Sequence, residues 1–193
     1  MIDINEIYFV TSNDHKIEEA NRILSQFGIK LKKSNIKKIE IQSNSLEKIV
    51  KYSLLYAIKK LNNEIIVEDS GLFIEKLNGF PGPFSSYVYK KLGCNGILKL
   101  MKEISDRRAL FKCVVGYCSP NIKPVIFHGI CYGNISYEIR GSHGFGFDPI
   151  FIPDNSNGLT FSELSPEEKD KFSHRGITFR KFGLWYINNI AKP

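Results

Sequence analysis

No apolar run in this 193-residue sequence approaches the roughly 20 residues that a membrane-spanning helix needs, so no membrane partner is expected. Cysteine is sparse. Cys94, Cys113, Cys118 and Cys131 form no Cys-x-x-Cys pair and have no histidine at zinc-ligand spacing. Three of them fall in strand-like apolar segments, where a thiol behaves as a small core hydrophobe, and nothing requires an oxidising compartment. A G-x-x-x-x-G-K-[ST] phosphate loop is missing, as are internal repeats and low-complexity linkers. The opening Met1-Ile2-Asp3-Ile4-Asn5-Glu6 is acidic and lacks the basic and apolar regions of a signal peptide, so a cytoplasmic protein is expected. Acids are outnumbered, 20 against 27 Lys and Arg, for a net charge of +7. That balance favours polyanionic partners, either nucleic acid or nucleotide phosphates. The cation runs Lys32-Lys33, Lys37-Lys38, Lys59-Lys60 and Lys90-Lys91 lack the aromatic interleaving of a nucleic-acid platform.

What is present reads as an ordinary folded chain, 42% hydrophobic and 12% aromatic. Ile4 to Val10 predicts a first strand. A helix follows, with Ile17, Ala20, Leu24 and Phe27 on one stripe and Gly28 placed to end it. Ile36 to Ile41 predicts a second strand. Asn44 and Glu47 have capping-box spacing for a long helix carrying Leu46, Ile49, Val50, Leu54, Ala57 and Leu61. A third strand spans Ile65 to Val67, and a helix is expected over Leu92 to Ile104. Ala109 to Cys118 and Val125 to Ile135 read as an antiparallel pair joined by a Ser-Pro-Asn turn. Ser165-Pro166-Glu167-Glu168 starts a capped helix, and a last helix runs from about His174 to Asn189, burying Phe179, Phe182 and Tyr186. This order predicts one mixed-sheet α/β domain with two lobes over residues 1–193.

The richest stretch is Ile65-Ile66-Val67-Glu68-Asp69-Ser70-Gly71, an apolar strand running into two carboxylates and a Ser-Gly turn, with the Gly/Pro-rich loop Gly79 to Ser86 beyond. Successive strand residues face opposite ways. Either the chain turns at Asp69, or only one of Glu68 and Asp69 is a direct metal ligand. Glu40, between two isoleucines, fits an edge-strand surface residue. It also fits a third ligand, since magnesium is held by one or two carboxylates plus substrate phosphates and water. Thr11-Ser12-Asn13-Asp14-His15-Lys16 joins a strand to a helix start, whose free amides suit phosphate, although such residues also serve simply as caps. Three glycines in Gly141 to Phe151 let backbone approach a flat ligand; the alternative is a glycine-rich loop with Phe anchors in the core. Lys169 and Ser173-His174-Arg175-Gly176 cluster donors suited to phosphate or to purine acceptors. His128 reads as structural.

Taken in order, Thr11-Ser12-Asn13 with Lys16, Glu40-Ile41-Gln42, Glu68-Asp69-Ser70-Gly71, Gly79 to Ser86, Gly144 to Phe151 and Ser173 to Gly176 resemble the inosine triphosphate pyrophosphatase family over nearly the whole chain. The resemblance implies a two-lobed α/β fold around a long mixed sheet with a central cleft, and a homodimer. It implies that triphosphates of inosine or xanthosine, ribo or deoxy, become monophosphate plus pyrophosphate with Mg2+. Thr11, Ser12, Asn13, Asp14, His15 and Lys16 would hold phosphates. Glu40 with Glu68 or Asp69 would hold the metal, Asp69 would accept the proton, and Ser70 would touch substrate. Phe145, Gly146, Phe147, Asp148, Lys169, His174 and Arg175 would embrace base and sugar. Two departures stand out: Ser85-Ser86-Tyr87 stands where many bacterial members carry Ser-Ala-Arg, and Thr178, next to a bulkier Ile177, replaces the usual small residue.

Two other readings compete. A Maf-like pyrophosphatase acting on pyrimidine or modified nucleotides would carry an early Ser-x-Ser-Pro-Arg segment, which is missing. A basic nucleic-acid-binding module would bind oligonucleotides with steep salt dependence and release no pyrophosphate.

Overall fold

The core of the fold is a seven-stranded mixed sheet in a computed structural model that describes residues 7–191. In chain order the elements are β1 (Ile7–Phe9), α1 (Asp14–Leu24), β2 (Leu31–Lys33), α2 (Leu46–Leu61), β3 (Ile65–Ile74), β4 (Pro81–Gly82), α3 (Ser85–Leu100), β5 (Arg108–Ser119), β6 (Ile122–Ile135), β7 (Phe151–Pro153), α4 (Pro166–Phe172) and α5 (His174–Asn189). Strand order is β2-β1-β3-β5-β6-β7, with β4 pairing on β3. β1 runs parallel to β2 and to β3, while β3–β4 and β6–β7 are antiparallel. Helical crossovers between parallel strands and a two-residue turn between β5 and β6 are what that mixture requires.

The described chain divides into two compact units. The first takes in residues up to Asp69, Cys113–His128 and the chain from Arg175; the second takes in Ser70–Lys112 and Gly129–His174. Each has its own apolar core. In the first, α1 contributes Ala20, Ile23 and Leu24, with Ile17 and Phe27 packed beside them, and α5 contributes Phe179, Phe182 and Tyr186 against Ile7, Phe9, Ile66, Val115 and Tyr117. In the second, Leu72, Ile74, Phe111, Phe151 and Phe161 meet Val88, Ile97 and Met101. Burying a side chain of this size stabilises by about 1.5–3 kcal/mol. Cys113, Cys118 and Cys131 lie in β5 and β6, Cys94 in α3, and all four are free and buried.

Several expectations need correction. The first strand covers Ile7–Phe9, and its expected start at Ile4 to Glu6 lies outside the described residues. Residues 36–41 form no strand; β2 falls earlier, at Leu31–Lys33. The cap of α2 is Ser45, whose hydroxyl accepts from the Lys48 amide, one residue beyond Asn44. β3 continues unbroken to Ile74 with no turn at Ser70-Gly71, because Gly71 lets β4 approach closely. A Cβ there would lie 2.1 Å from the Gly82 carbonyl oxygen. α3 starts at Ser85 and not at Leu92, kinks at Gly93 (φ 60°) and ends at Leu100. β7 had no sequence signal, being three residues long.

Candidate active site

In the first unit, β3 delivers Glu68 and Asp69 side by side. Because the strand is regular there, their side chains leave opposite faces. Glu68 is fully buried. Its Oε2 lies 2.7 Å from Lys16 Nζ, and its Oε1 accepts from Arg175 Nη2 at 3.1 Å and from the Cys113 thiol at 3.4 Å. Arg175 Nη1 reaches Glu19 Oε2 at 2.5 Å. The result is an acid–base–acid–base chain, Glu19–Arg175–Glu68–Lys16, joining α1, β3 and α5. On the other face, Lys38 Nζ lies 2.7 Å from Glu40 Oε1 and 3.5 Å from Asp69 Oδ1, and donates to the Glu68 carbonyl at 2.9 Å. The Ser53 hydroxyl of α2 donates to the Ile39 carbonyl, fixing the irregular segment that carries Lys38 and Glu40.

Charge and burial set these groups apart. Burial alone would push the Glu68 carboxyl up, but Lys16 and Arg175 outweigh it and hold it well below the ordinary range. At Asp69 burial prevails over the Lys38 and Lys16 charges and lifts the carboxyl. The Lys38 ammonium, which burial would weaken, is held above its ordinary value by Asp69 and Glu40. Just ahead of α1, Thr11 is buried and its hydroxyl accepts from the Asn13 amide at 3.1 Å, while Asn13 Oδ1 accepts from the His15 amide at 3.0 Å. Ser12 is exposed. Asp14 pairs with Lys33, and exposed His15 lies 3.7 Å from Glu18.

The second unit carries the other group. Asp148 and Lys169 are both nearly inaccessible and paired at 2.7 Å, and Asp148 Oδ2 also accepts from the Phe145 amide at 2.8 Å. Lys169 Nζ sits 5.2 Å from the Phe145 ring and 5.4 Å from Phe161, within cation–π range. Gly144, at φ +77°, makes room for this: a Cβ there would meet Asp148 Oδ2 at 2.2 Å. His174 stacks on Phe111, centroids 4.6 Å apart and rings 11° from parallel. Phe147 is buried edge-on against Tyr89 at 5.4 Å. The Cys94 thiol faces the Gly146 carbonyl at 3.5 Å; burial pushes it up to about 11, so it stays protonated near neutrality.

Residues 7–185 match the Ham1 family model. The chain belongs to the Ham1 family. Among its relatives, the dITP/XTP pyrophosphatase of Methanopyrus kandleri is 48% identical over 186 residues, 96% of this chain and 98% of that one. The dITP/XTP pyrophosphatase of Pyrococcus horikoshii is 45% identical over 185 residues, 96% of this chain and 98% of that one. Among solved structures, the HAM1 protein of Coxiella burnetii superposes with a TM-score of 0.84 at 31% identity, covering 95% of this chain and 99% of that one. The Ham1 protein of Staphylococcus aureus gives 0.81 at 27%, covering 95% and 98%.

For this Ham1 chain, then, the structure brings Lys16, Glu40, Glu68, Asp69 and Arg175 together in one unit, and Phe145, Asp148 and Lys169 together in the other. The exposed Ser12, Asp14 and His15 side chains stand apart, Ser12 just before α1 and the other two in its first turn. Arg175, expected beside the base, has its guanidinium between Glu19 and Glu68. Sequence reasoning missed Glu19, Lys38 and Cys113. Glu19 lies three residues after Lys16 on one helix face, and Lys38 lies two before Glu40. Both spacings were visible, but neither residue sits in a motif. Among the described residues no three His, Cys, Asp or Glu side chains form a ready-made metal cage. The donors do fit magnesium, a hard cation content with one or two carboxylates while phosphate and water fill its remaining positions.

Proposed function

We propose that this Ham1-family protein hydrolyses triphosphates of non-standard purines, dITP, ITP and XTP, to the monophosphate and pyrophosphate with magnesium, and so cleanses the nucleotide pool. The observation that carries this reading is the buried cluster of Glu68, Asp69, Lys16 and Lys38, in a chain nearly half identical to dITP/XTP pyrophosphatases over almost its full length. Water adds to the α-phosphorus, the bridging bond to the β-phosphate breaks, and pyrophosphate departs. Asp69, whose carboxyl burial lifts, takes the proton from that water; a base with a raised pKa holds it better. Glu40 with Glu68 or Asp69 would hold magnesium, which when bound neutralises phosphate charge and polarises the phosphoryl oxygens. Lys16 and the Thr11 to Asn13 segment would hold the phosphates, with Ser70 next to Asp69 in sequence. Lys38 and Lys16 offset the charge of the acids they touch, and Arg175 orients Glu68 from behind.

Lys169 and His174, with the Phe145 to Asp148 loop, are assigned to the base. Hypoxanthine and xanthine offer a carbonyl acceptor at C6 where adenine offers an amino donor, so adenine would face donor against donor. A site built on such polar partners rejects the mismatched base by roughly 10⁴-fold or more. Both units serve one functional domain, a cytoplasmic homodimer. No helix among the described residues is long and apolar enough to cross a membrane. The test is pyrophosphate release from dITP, ITP, XTP, GTP and ATP with and without magnesium. Hypoxanthine and xanthine substrates should lead ATP by orders of magnitude and require the metal; equal rates on all five would overturn the reading.

A further inference from the structure

Lys38 is the part of the acid cluster that no motif accounts for. Its ammonium is surrounded by Glu40 Oε1 at 2.7 Å, the Glu68 carbonyl at 2.9 Å and Asp69 Oδ1 at 3.5 Å, with only 10% of the side chain exposed. Three oxygens, two of them carboxylate, are the donors a hard divalent cation takes. An ammonium with three N–H donors satisfies the same oxygens. The segment bearing Lys38 belongs to no helix or strand and is fastened by the Ser53 hydroxyl, which donates to the Ile39 carbonyl, so the lysine stem extends from a held base.

We propose that Lys38 is a tethered cation that occupies the oxygen cluster of Glu40, Glu68 and Asp69 until a divalent ion displaces it. This rests on the metal reading above. The ammonium keeps adjacent carboxylates neutralised in the nucleotide-free protein and sets a threshold for binding bare metal. The ion is then retained chiefly when triphosphate oxygens add to its coordination, which ties metal loading to substrate arrival. Lys38 is accordingly a positioning residue.

The experiment titrates nucleotide-free protein with Mn2+, followed by the electron paramagnetic signal of the free ion. Lys38→Met and Lys38→Gln should each bind Mn2+ about tenfold or more tightly than the native chain, since a competing unit charge is gone. Lys37→Met, which removes an exposed neighbouring charge, should leave affinity unchanged. With EDTA both Lys38 variants should melt below the native protein, and Mn2+ should raise their Tm more than the native one. In the unmutated protein, Mn2+ should speed acylation of the Lys38 amine, read by peptide mass spectrometry. Lys38 variants that bind no tighter, a Lys37→Met that tightens equally, or labelling that is unchanged or slowed would each overturn the proposal. Pyrophosphate release from dITP by the native protein is scored separately. Its absence would sink the pyrophosphatase reading and leave the metal-for-ammonium exchange to the binding data.

Discussion

At Asp69 burial is the dominant influence and lifts the carboxyl above the ordinary aspartate value of 3.8, whereas at Glu68, one residue earlier, two cations override burial and depress it. The two carboxyls are therefore shifted in opposite directions. As proton acceptor Asp69 works only when ionised, so kcat/KM on dITP should climb with pH through a limb displaced above 3.8. Asp69→Asn should cut turnover by roughly 10²–10⁴-fold, and native-like turnover in that variant would remove Asp69 from the chemistry. Glu68 has a lower pKa folded than unfolded. Its contribution to stability is fully present above the unfolded value, near 4.5, and is lost as pH falls below it, because the unfolded chain takes up the proton first. Glu68→Gln should flatten the dependence of urea-unfolding free energy on pH below 4.5; an unchanged slope would mean the pairing with Lys16 and Arg175 adds nothing. Sequence alone named Glu68, Asp69 and Glu40 because the chemistry demands acids, although Glu68 and Asp69 lie mid-strand in β3 and Glu40 lies in no strand. It did not name Lys38 or Glu19, since which charge sits on which acid is decided by packing between segments far apart in the chain.

At the scale of elements, the long amphipathic or strongly capped pieces were the legible ones. α2, α4, α5 and the β5–β6 hairpin carry enough periodic residues, caps and turn signals to declare themselves, whereas β2, β4 and β7 are two or three residues each and owe their pairing to neighbours. Ser-Gly after Asp69 reads locally as a turn, but Gly71 serves a close approach between strands. Ser85 completes the joint: its hydroxyl accepts from the Leu72 amide at 2.8 Å and donates to the Gly82 carbonyl at 2.7 Å. Gly71→Ala should destabilise by about 1–3 kcal/mol through overpacking, measured by chemical denaturation. A loss within experimental error would show that β4 gives way freely.

For the whole molecule, the α/β class and mixed sheet followed from the alternation of helical and strand patterns, while which residues share a core followed from nothing local, since each core gathers residues from well-separated stretches. The homodimer proposed above should sediment at twice the 22.1 kDa chain mass, and a monomer at micromolar concentration would refute it. The first unit draws on three separate runs of chain and is closed only by α5. Translation delivers Glu68 107 residues ahead of the arginine that neutralises it. At about 5–20 residues per second that lag is on the order of 5–20 s. A nascent chain on the ribosome thus holds a carboxylate destined for complete burial with no guanidinium to meet it, and the second unit's residues are all synthesised before the first can lock.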